Sequence, residues 1–177
     1  MLWRAVVYNP LYCSSGIRKE EVSQAFGNTH IIVCPGTGVR GAEDGGAVIS
    51  YTSKHMVVSW GYRRTSMSNK SCGISIFLLK KWFRRSHIVR TVGPGDVLSG
   101  RGGAITLRSP AFHLKVLGGY FPPRPADRKA LSGWKQTCNE LLRWHRQEIE
   151  REPSRCFILN ALDLNDRLGG GAGWGGL

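Results

Sequence analysis

The stretch of residues 155–169 constrains this chain most, because it joins a short apolar run to a pair of polar side chains. The run from Cys156 to Leu159 predicts a strand, and Asp163 and Asn165 follow where that strand should end. Strand side chains alternate between two faces, so residues two positions apart share a face. An acid and an amide together at a strand end can hold a divalent metal, activate a water and bind a phosphate oxygen.

The order of the predicted elements indicates an α/β fold. An apolar strand at residues 2–8 precedes a helix that Ser15 can cap and that extends through Phe26. Apolar residues at every third or fourth position predict a long helix at residues 126–150. Several strands lie between them, at residues 30–34, 56–60, 72–79, 104–108 and 112–117, the last two as a hairpin. We therefore expect an α/β sandwich in which helices flank a mixed sheet.

Periodicity also predicts which side chains meet water. In the second hairpin strand, His113 and Lys115 alternate with apolar residues, so we expect that face to be wet. In the long helix, Glu148 lies off the apolar stripe. In the first helix, Ile17, with residues 22 and 26, forms a modest apolar stripe that should face the core.

Composition indicates one globular domain. Of the 177 residues, 41% are hydrophobic and 10% aromatic, which is enough to build a core. No run of about 18 apolar residues occurs, so we expect no transmembrane helix, and the N-terminus is too soon polar for a secretory signal. The five cysteines are odd in number and far apart, which favours reduced thiols in an intracellular protein and makes a zinc site improbable.

The charge indicates a polyanionic partner. Lys and Arg number 25 against 12 Asp and Glu, a formal net charge of +13, which favours nucleic acid first and an anionic membrane second. Trp82 and Phe83 lie among the cations and could stack on bases, but a solvated basic surface with both rings packed inward explains the same pattern. The candidate nucleic-acid-binding residues are Arg63, Arg64, Lys80, Lys81, Arg84, Arg85 and Arg101.

Three more polar residues lie at predicted strand ends. Asn9 follows the first strand, Thr37 follows the second, and Tyr120 follows the hairpin. The ends of neighbouring strands are where α/β sheets collect functional groups. Taken singly, each has an ordinary structural explanation, because Asn9 precedes a proline, Tyr120 can be a packing aromatic, and the Asp-x-Asn segment can simply cap a turn.

The ordered set of motifs resembles the endonuclease/exonuclease/phosphatase superfamily, in particular the endonuclease domains of non-LTR retroelements. The segment 30–37 stands where that family has a strand ending in Gln-Glu-Thr. The other matching segments, in chain order, are Val-Val-Tyr-Asn9, Cys72-Gly-Ile-Ser-Ile, Ser99-Gly-Arg101, Gly119-Tyr120-Phe-Pro-Pro123 and Leu162-Asp163-Leu-Asn165, with Gly169 at the family's downstream glycine. The resemblance covers residues 3–169.

The resemblance implies a partial four-layer α/β sandwich, with two mixed or antiparallel sheets flanked by helices, and metal-assisted phosphodiester hydrolysis, most simply of DNA. Mg²⁺ or Mn²⁺ would be the cofactor, with Asn9 and Asp163 at the metal. Asn9 would orient the phosphate or the carboxylates, and Tyr120 would donate to a phosphate oxygen. Asp163 would position or deprotonate the attacking water, and Asn165 would stabilise charge on the phosphate.

Two departures from the family predict weak or absent activity. Gly36 stands where the family has its principal metal-binding glutamate, and a substitute from Glu43 or Asp44 has no physical support. The family's final strand carries an Asp and a His, and the chain stops before it. The loss of a positioned acid/base costs about 10²–10⁴-fold in rate. We therefore expect residues 1–169 to form a domain lacking its C-terminal strands, followed by a flexible Gly-rich tail at residues 170–177.

Two other functions fit the sequence. One is a basic, non-catalytic nucleic-acid-binding protein that uses residues 80–90. The other is a phosphatase acting on inositol phosphates or a lipid-like substrate, which the same superfamily supports. We expect no membrane contact and no obligate protein partner, and a nuclear destination is compatible with the cationic run.

Overall fold

The computed structural model describes residues 2–10, 12–42, 46–63 and 71–165, which form two β-sheets and two α-helices. The helices are α1 (Gly16–Ala25) and α2 (Leu131–Glu150). The strands are β1 (Ala5–Val7), β2 (Ile31–Pro35), β3 (Val48–Tyr51), β4 (His55–Trp60), β5 (Ile74–Leu79), β6 (Ile88–Val92), β7 (Gly102–Ser109), β8 (Phe112–Tyr120) and β9 (Phe157–Asp163).

Both sheets are mixed, each with one parallel pair. The first sheet has the order β1-β2-β5-β4-β3, in which β1 and β2 are parallel and the other pairs antiparallel. The second has the order β6-β7-β8-β9, in which β8 and β9 are parallel. The two parallel pairs determine where the functional side chains lie, because parallel strands end at the same edge of their sheet.

The main core lies between the two sheets. Ile31, Val33 and Ile76 from the first sheet meet Ile105 and Val116 from the second, and each is fully or almost fully buried. The alternate residues of the first sheet point to its other face, as period-two geometry requires. The three central strands β2, β4 and β5 are therefore buried on both faces, which explains their largely apolar sequences.

The helices cover the outer faces and complete four layers. Val22 of α1 packs against Ile32 and Phe77 of the first sheet, while Leu141 of α2 packs with Phe121 beside the second. The order is helix, sheet, sheet, helix, which confirms the predicted four-layer α/β sandwich. No helix within the described segments is both long and apolar enough to cross a membrane.

Helix α1 begins where the sequence predicts, but it packs as predicted only in part. Ser15 caps α1 by accepting a hydrogen bond from the Arg18 backbone N–H at 3.2 Å, as expected. The predicted stripe on α1 is wrong at Ile17, whose side chain is 75% exposed, because the helix contacts the sheet mainly through its second half.

The prediction of a wet face on β8 is wrong. Lys115 is fully buried, and its Nζ lies 2.9 Å from Glu148 Oε2 and 3.0 Å from Glu152 Oε1. Glu148, off the apolar stripe of α2, is also buried and pairs with Arg90 at 2.6 Å. Helix α2 covers this face of the sheet, so the polar residues that alternate along β8 meet the charges of α2 instead of water.

Candidate active site at the ends of the parallel strands

Polar residues from both sheets meet at one end of the sandwich. Asn9 follows β1, Gly36 follows β2, and Tyr120 and Asp163 are the last residues of β8 and β9. Tyr120 and Asp163 are direct partners in the parallel register. We call this end, where the parallel strands finish, the cleft end, and the opposite end of the sandwich the far end.

A hydrogen bond between the sheets joins two of these residues. Asn9 Nδ2 donates to Asp163 Oδ2 at 2.8 Å, although the two residues lie 154 positions apart in sequence. The contact involves an ionisable carboxylate in a partly buried position, where such bonds are stronger than between neutral groups. The structure thus brings Asn9, Tyr120 and Asp163 together.

Asn165 reaches the cleft by a turn rather than by strand alternation. β9 ends at Asp163, and Asn165 has a left-handed backbone with φ of 46°, a conformation that asparagine tolerates better than most residues. Its backbone N–H donates to Asp163 Oδ1 at 3.1 Å, and its Nδ2 donates to the Phe121 carbonyl at 2.8 Å. Asp163 therefore caps a turn as well as facing the cleft, and both of its oxygens accept hydrogen bonds.

The cleft has the size of a small-molecule site, with a volume of about 550 Å³. Its lining combines the polar residues with an apolar wall. The sequence did not identify the residues of this apolar wall, although their positions at strand ends were the available signal. The lining residues are Val7, Asn9, Pro35, Leu162, Asp163, Leu164 and Asn165. Within the described residues, Asp163 is the only carboxylate in that lining.

Gly36 lies directly against the polar group. Its φ is +69°, and a Cβ atom placed on it would lie 3.2 Å from Asn9 Oδ1 and 3.2 Å from Tyr120 Cε2. A side chain at this position would therefore enter the space beside Asn9 and Tyr120. The family resemblance expects a glutamate at this position, and the geometry gives such a side chain a direct path to the Asn9–Asp163 pair.

The described residues of the cleft do not fit a divalent cation well. Mg²⁺ takes near-octahedral oxygen ligands and is usually held by one or two carboxylates. The cleft offers Asp163, whose oxygens already accept from Asn9 and Asn165. Glu43 and Asp44 lie outside the described residues. A group that could hold a metal does occur in the described chain, at the far end.

Three of the predicted or potential site residues are buried. Thr37 is fully buried and its Oγ1 has no hydrogen-bond partner within the described structure. Tyr120 is only 8% exposed and packs in the main core. Arg101 is 6% exposed, with Nη1 3.5 Å from the Tyr120 carbonyl, so it supports the wall of the cleft end more than it faces solvent.

Most of the predicted nucleic-acid-binding cations lie away from the cleft. β5 begins opposite Pro35 and ends beside Ile31, so the segment that follows it lies at the far end. Four cations there are exposed: Lys80, Lys81, Arg84 and Arg85. Arg63 pairs with Asp96, and Arg64 lies outside the described residues.

Two solved structures share this architecture. The AP endonuclease LMAP from Leishmania major superposes with a TM-score of 0.65 at 14% identity, over 92% of this chain and 55% of its own. Sphingomyelinase C from Streptomyces griseocarneus superposes with a TM-score of 0.53 at 15% identity, over 91% of this chain and 64% of its own. Both have the endonuclease/exonuclease/phosphatase fold, so the chain has this fold, as the motifs implied.

The chain therefore spans less than two thirds of the length of each of these two proteins. No family model matches the sequence, and no curated protein matches it. The more particular resemblance to retroelement endonucleases stays a prediction.

Proposed function

We propose that this chain is a phosphodiester hydrolase of the endonuclease/exonuclease/phosphatase type whose activity is weak or absent. The hydrogen bond from Asn9 to Asp163, formed beside Gly36, carries the proposal. This bond supports a site that combines an amide and a carboxylate, and the resemblance implies a further glutamate at the position of Gly36. The fold shared with an AP endonuclease and a sphingomyelinase supports the reaction class.

The residues of the cleft supply part of what the reaction needs. In-line displacement at phosphorus requires a positioned water and neutralisation of charge on the phosphate. Asp163 can orient the water, and the amides of Asn9 and Asn165 can donate to phosphate oxygens. Among the described residues that line the cleft there is no cation and one carboxylate, Asp163, so this part of the lining holds a metal poorly. The proposed outcome is binding of a phosphate ester with slow hydrolysis.

DNA is the substrate we favour, because the net charge of +13 suits a polyanion. One structural neighbour is an AP endonuclease, which points the same way. The other is a sphingomyelinase, so an inositol or lipid phosphodiester remains the alternative substrate class.

A nicking assay on supercoiled DNA with Mg²⁺ tests the proposal. We expect the chain to nick at a rate near background, and Asp163→Ala to remove whatever activity is present. Gly36→Glu should raise the rate, because it supplies a second carboxylate beside Asn9.

Robust nicking by the unmodified chain, abolished by Asp163→Ala, would refute the proposal that its activity is weak or absent. Equal background nicking in all three proteins would refute the assignment of the cleft. A matched Gly36→Ala variant separates the added carboxylate from the backbone strain at this position.

A second candidate is nucleic-acid binding at the far end. There the four exposed cations surround Trp82, which is 39% exposed and packs edge-on against Trp3 and His30. An exposed aromatic ring among cations is the combination that single-stranded nucleic acids bind. Phe83 instead is buried and stacks on Trp3, so only one of the two aromatics is available.

The salt dependence of binding tests this candidate. Replacing the four far-end cations by glutamine should weaken binding of single-stranded DNA and lower the salt slope by about 0.7 for each phosphate that is no longer neutralised. The matched control removes four exposed cations elsewhere, in Arg128→Gln, Lys129→Gln, Lys135→Gln and Arg143→Gln. An equal weakening in both quadruple variants would show that net charge, and no particular surface, drives binding.

A further inference from the structure

A second group of potential ligands lies at the opposite end of the strands that carry Tyr120 and Asp163. His113 is near the start of β8, and Cys156 immediately precedes β9. The parallel register pairs Leu114 with Phe157 at one end and Tyr120 with Asp163 at the other. Six residues separate these pairs, which is roughly 20 Å at strand spacing. The group is therefore distinct from the cleft and independent of the proposed function.

Three side chains converge at this place. The ligand atoms of His113, Glu152 and Cys156 all lie within 4.8 Å of one another. His113 Nε2 is 3.3 Å from Glu152 Oε2, and the side chains of both residues are 9% exposed. An imidazole, a thiolate and a carboxylate are the ligands of Zn²⁺, at about 2.0–2.3 Å from the ion.

The unpartnered imidazole nitrogen of His113 is the observation that indicates a bound ion. Its Nε2 is buried and makes no hydrogen bond within the described structure. The Glu152 oxygen at 3.3 Å does not meet hydrogen-bond geometry, and the contact is an ion pair only when the imidazole is protonated. A buried polar atom left without a partner costs about 1–3 kcal/mol. A cation between the three side chains would give this nitrogen a partner.

The carboxylate is oriented for that role by its other oxygen. Glu152 Oε1 accepts from Lys115 Nζ at 3.0 Å and from Thr106 Oγ1 at 2.9 Å, which leaves Oε2 towards His113. Outer contacts of this kind orient metal ligands in known sites. The charge of Lys115 opposes a cation, but Glu148 accepts from the same Nζ at 2.9 Å and offsets it.

Access and chemistry favour Zn²⁺ over Mg²⁺. His113 also borders a cleft of about 350 Å³ whose other lining residues include Arg108, Arg155 and Phe157, so a water can reach the site as a fourth ligand. Thiolate and imidazole ligands select soft or borderline ions, whereas Mg²⁺ prefers oxygen. Binding would release the thiol proton of Cys156.

We propose that His113, Glu152 and Cys156 form a Zn²⁺ site that links the end of α2 to the starts of β8 and β9. The ion joins a residue after the helix to a residue of β8 and to the residue just before β9, so its role is to hold α2 on the sheet. The sequence spacing hides this site, because one ligand comes from a strand more than 35 positions before the other two.

Cobalt substitution tests the site directly. Co²⁺ added to the purified, reduced chain should bind with a one-to-one stoichiometry and show a thiolate-to-metal charge-transfer band, which Zn²⁺ then displaces. Cys156→Ser should remove the band, and His113→Gln should weaken Zn²⁺ binding by at least about tenfold, since even outer-shell partners contribute that much. Zn²⁺ should also raise the Tm of the unmodified chain and leave that of Cys156→Ser unchanged.

The matched control is Cys138→Ser, which removes a partly buried thiol on α2 and should keep the band. Absence of the band in the unmodified chain would overturn the proposal without any variant. A band that survives Cys156→Ser and disappears in Cys138→Ser would overturn it as well. Circular dichroism of each variant shows whether a missing band reflects a failure to fold.

Discussion

Asp163 is held in the cleft by hydrogen bonds to both of its oxygens. One comes from the Asn9 side chain across the gap between the sheets, and the other from the backbone of Asn165. Hydrogen bonds to charged groups contribute about 1.5–3 kcal/mol each, so the carboxylate is fixed in position before any substrate binds. The same fixation reduces its freedom to turn towards a metal.

Gly36 combines two roles that are in conflict. Its φ of +69° lies in the left-handed region, where a non-glycine residue costs about 1–2 kcal/mol. Its position beside Asn9 is also where a carboxylate would help bind a cation. The backbone conformation therefore explains why glycine is favoured at this position. Any gain in cation binding from a glutamate has to exceed this conformational strain.

Sequence alone could identify these residues but not their arrangement. The position of Asn9, Tyr120 and Asp163 at strand ends was readable from the motifs, because apolar runs and the residues that follow them are local features. The direction of the Asn165 side chain was not readable from the sequence. Its left-handed backbone turns the side chain away from the direction that strand alternation predicts. Packing of α2 against the sheet decided the burial of Lys115, and no local pattern shows it.

His145 gives the fold a pH dependence. The ring is 2% exposed beneath Gly119, where a Cβ atom would lie 2.5 Å from its Nε2. Burial lowers its pKa to about 4, although the Asn160 side chain acts in the opposite direction. Neither ring nitrogen has a partner of good hydrogen-bond geometry within the described structure, so the ring is held neutral by packing.

The free energy of unfolding should therefore fall as the pH drops. The unfolded chain binds the proton near pH 6.5 and the folded chain near pH 4, so stability is lost between these values and changes little from this group outside them. Between pH 7.5 and 4.5 the loss from His145 should be about 2–3 kcal/mol. Denaturant unfolding at both pH values measures it, with His145→Leu removing this part of the loss.

The control for this measurement is His87→Gln, which removes a partly exposed histidine. It shows how far the loss of a histidine outside the buried position of His145 changes the measured stability. An unchanged pH dependence in His145→Leu would show that the ring titrates normally in the folded state. Comparison between variants is needed because burial also lowers the pKa of His55.

At the scale of elements, α2 defines the chemistry of one face of the second sheet. Its buried charges meet Lys115, and the short segment after it supplies Glu152 and Cys156 beside His113. Removing one member of such a buried network costs about 3–5 kcal/mol because the remaining charge is left unpaired. The network therefore fixes where the helix ends on the sheet.

The strands were predictable to different degrees, for physical reasons. β2, β5, β7 and β8 have long apolar or alternating runs, and the sequence located all of them. β3 and β6 are short, half-exposed edge strands whose residues match no clear pattern, and both were missed. Edge strands depend on their neighbours for hydrogen bonds more than on their own sequence.

At the scale of the whole molecule, the sandwich has two chemically different ends. The cleft end carries Asn9, Gly36 and Asp163, whereas the far end carries the exposed cations, Trp82 and the His113 group. A nucleic acid bound only at the far end would not place a phosphodiester in the cleft. Binding and hydrolysis are therefore separable, and variants at one end should leave the other unaffected.

The arrangement of the two sheets was the part of the whole that the sequence predicted best. The order of elements indicated an α/β sandwich, and the family resemblance implied four layers with two sheets, which the structure confirms. The distribution of charge between the two ends could not be predicted, because it depends on the antiparallel direction of β5. Because β5 runs antiparallel to β2, the cationic segment that follows β5 lies at the end of the sandwich opposite the cleft.

Titration calorimetry with Mg²⁺ and Mn²⁺ tests the central claim, that with glycine at position 36 and Asp163 as the one carboxylate among the described lining residues, the cleft has no effective metal site. We predict no saturable binding that depends on Asp163 in the unmodified chain, and new binding in Gly36→Glu that disappears when Asp163→Ala is added. Gly36→Ala, with the same strain and no carboxylate, should show no binding that depends on Asp163. Saturable binding by the unmodified chain that Asp163→Ala abolishes would contradict the account.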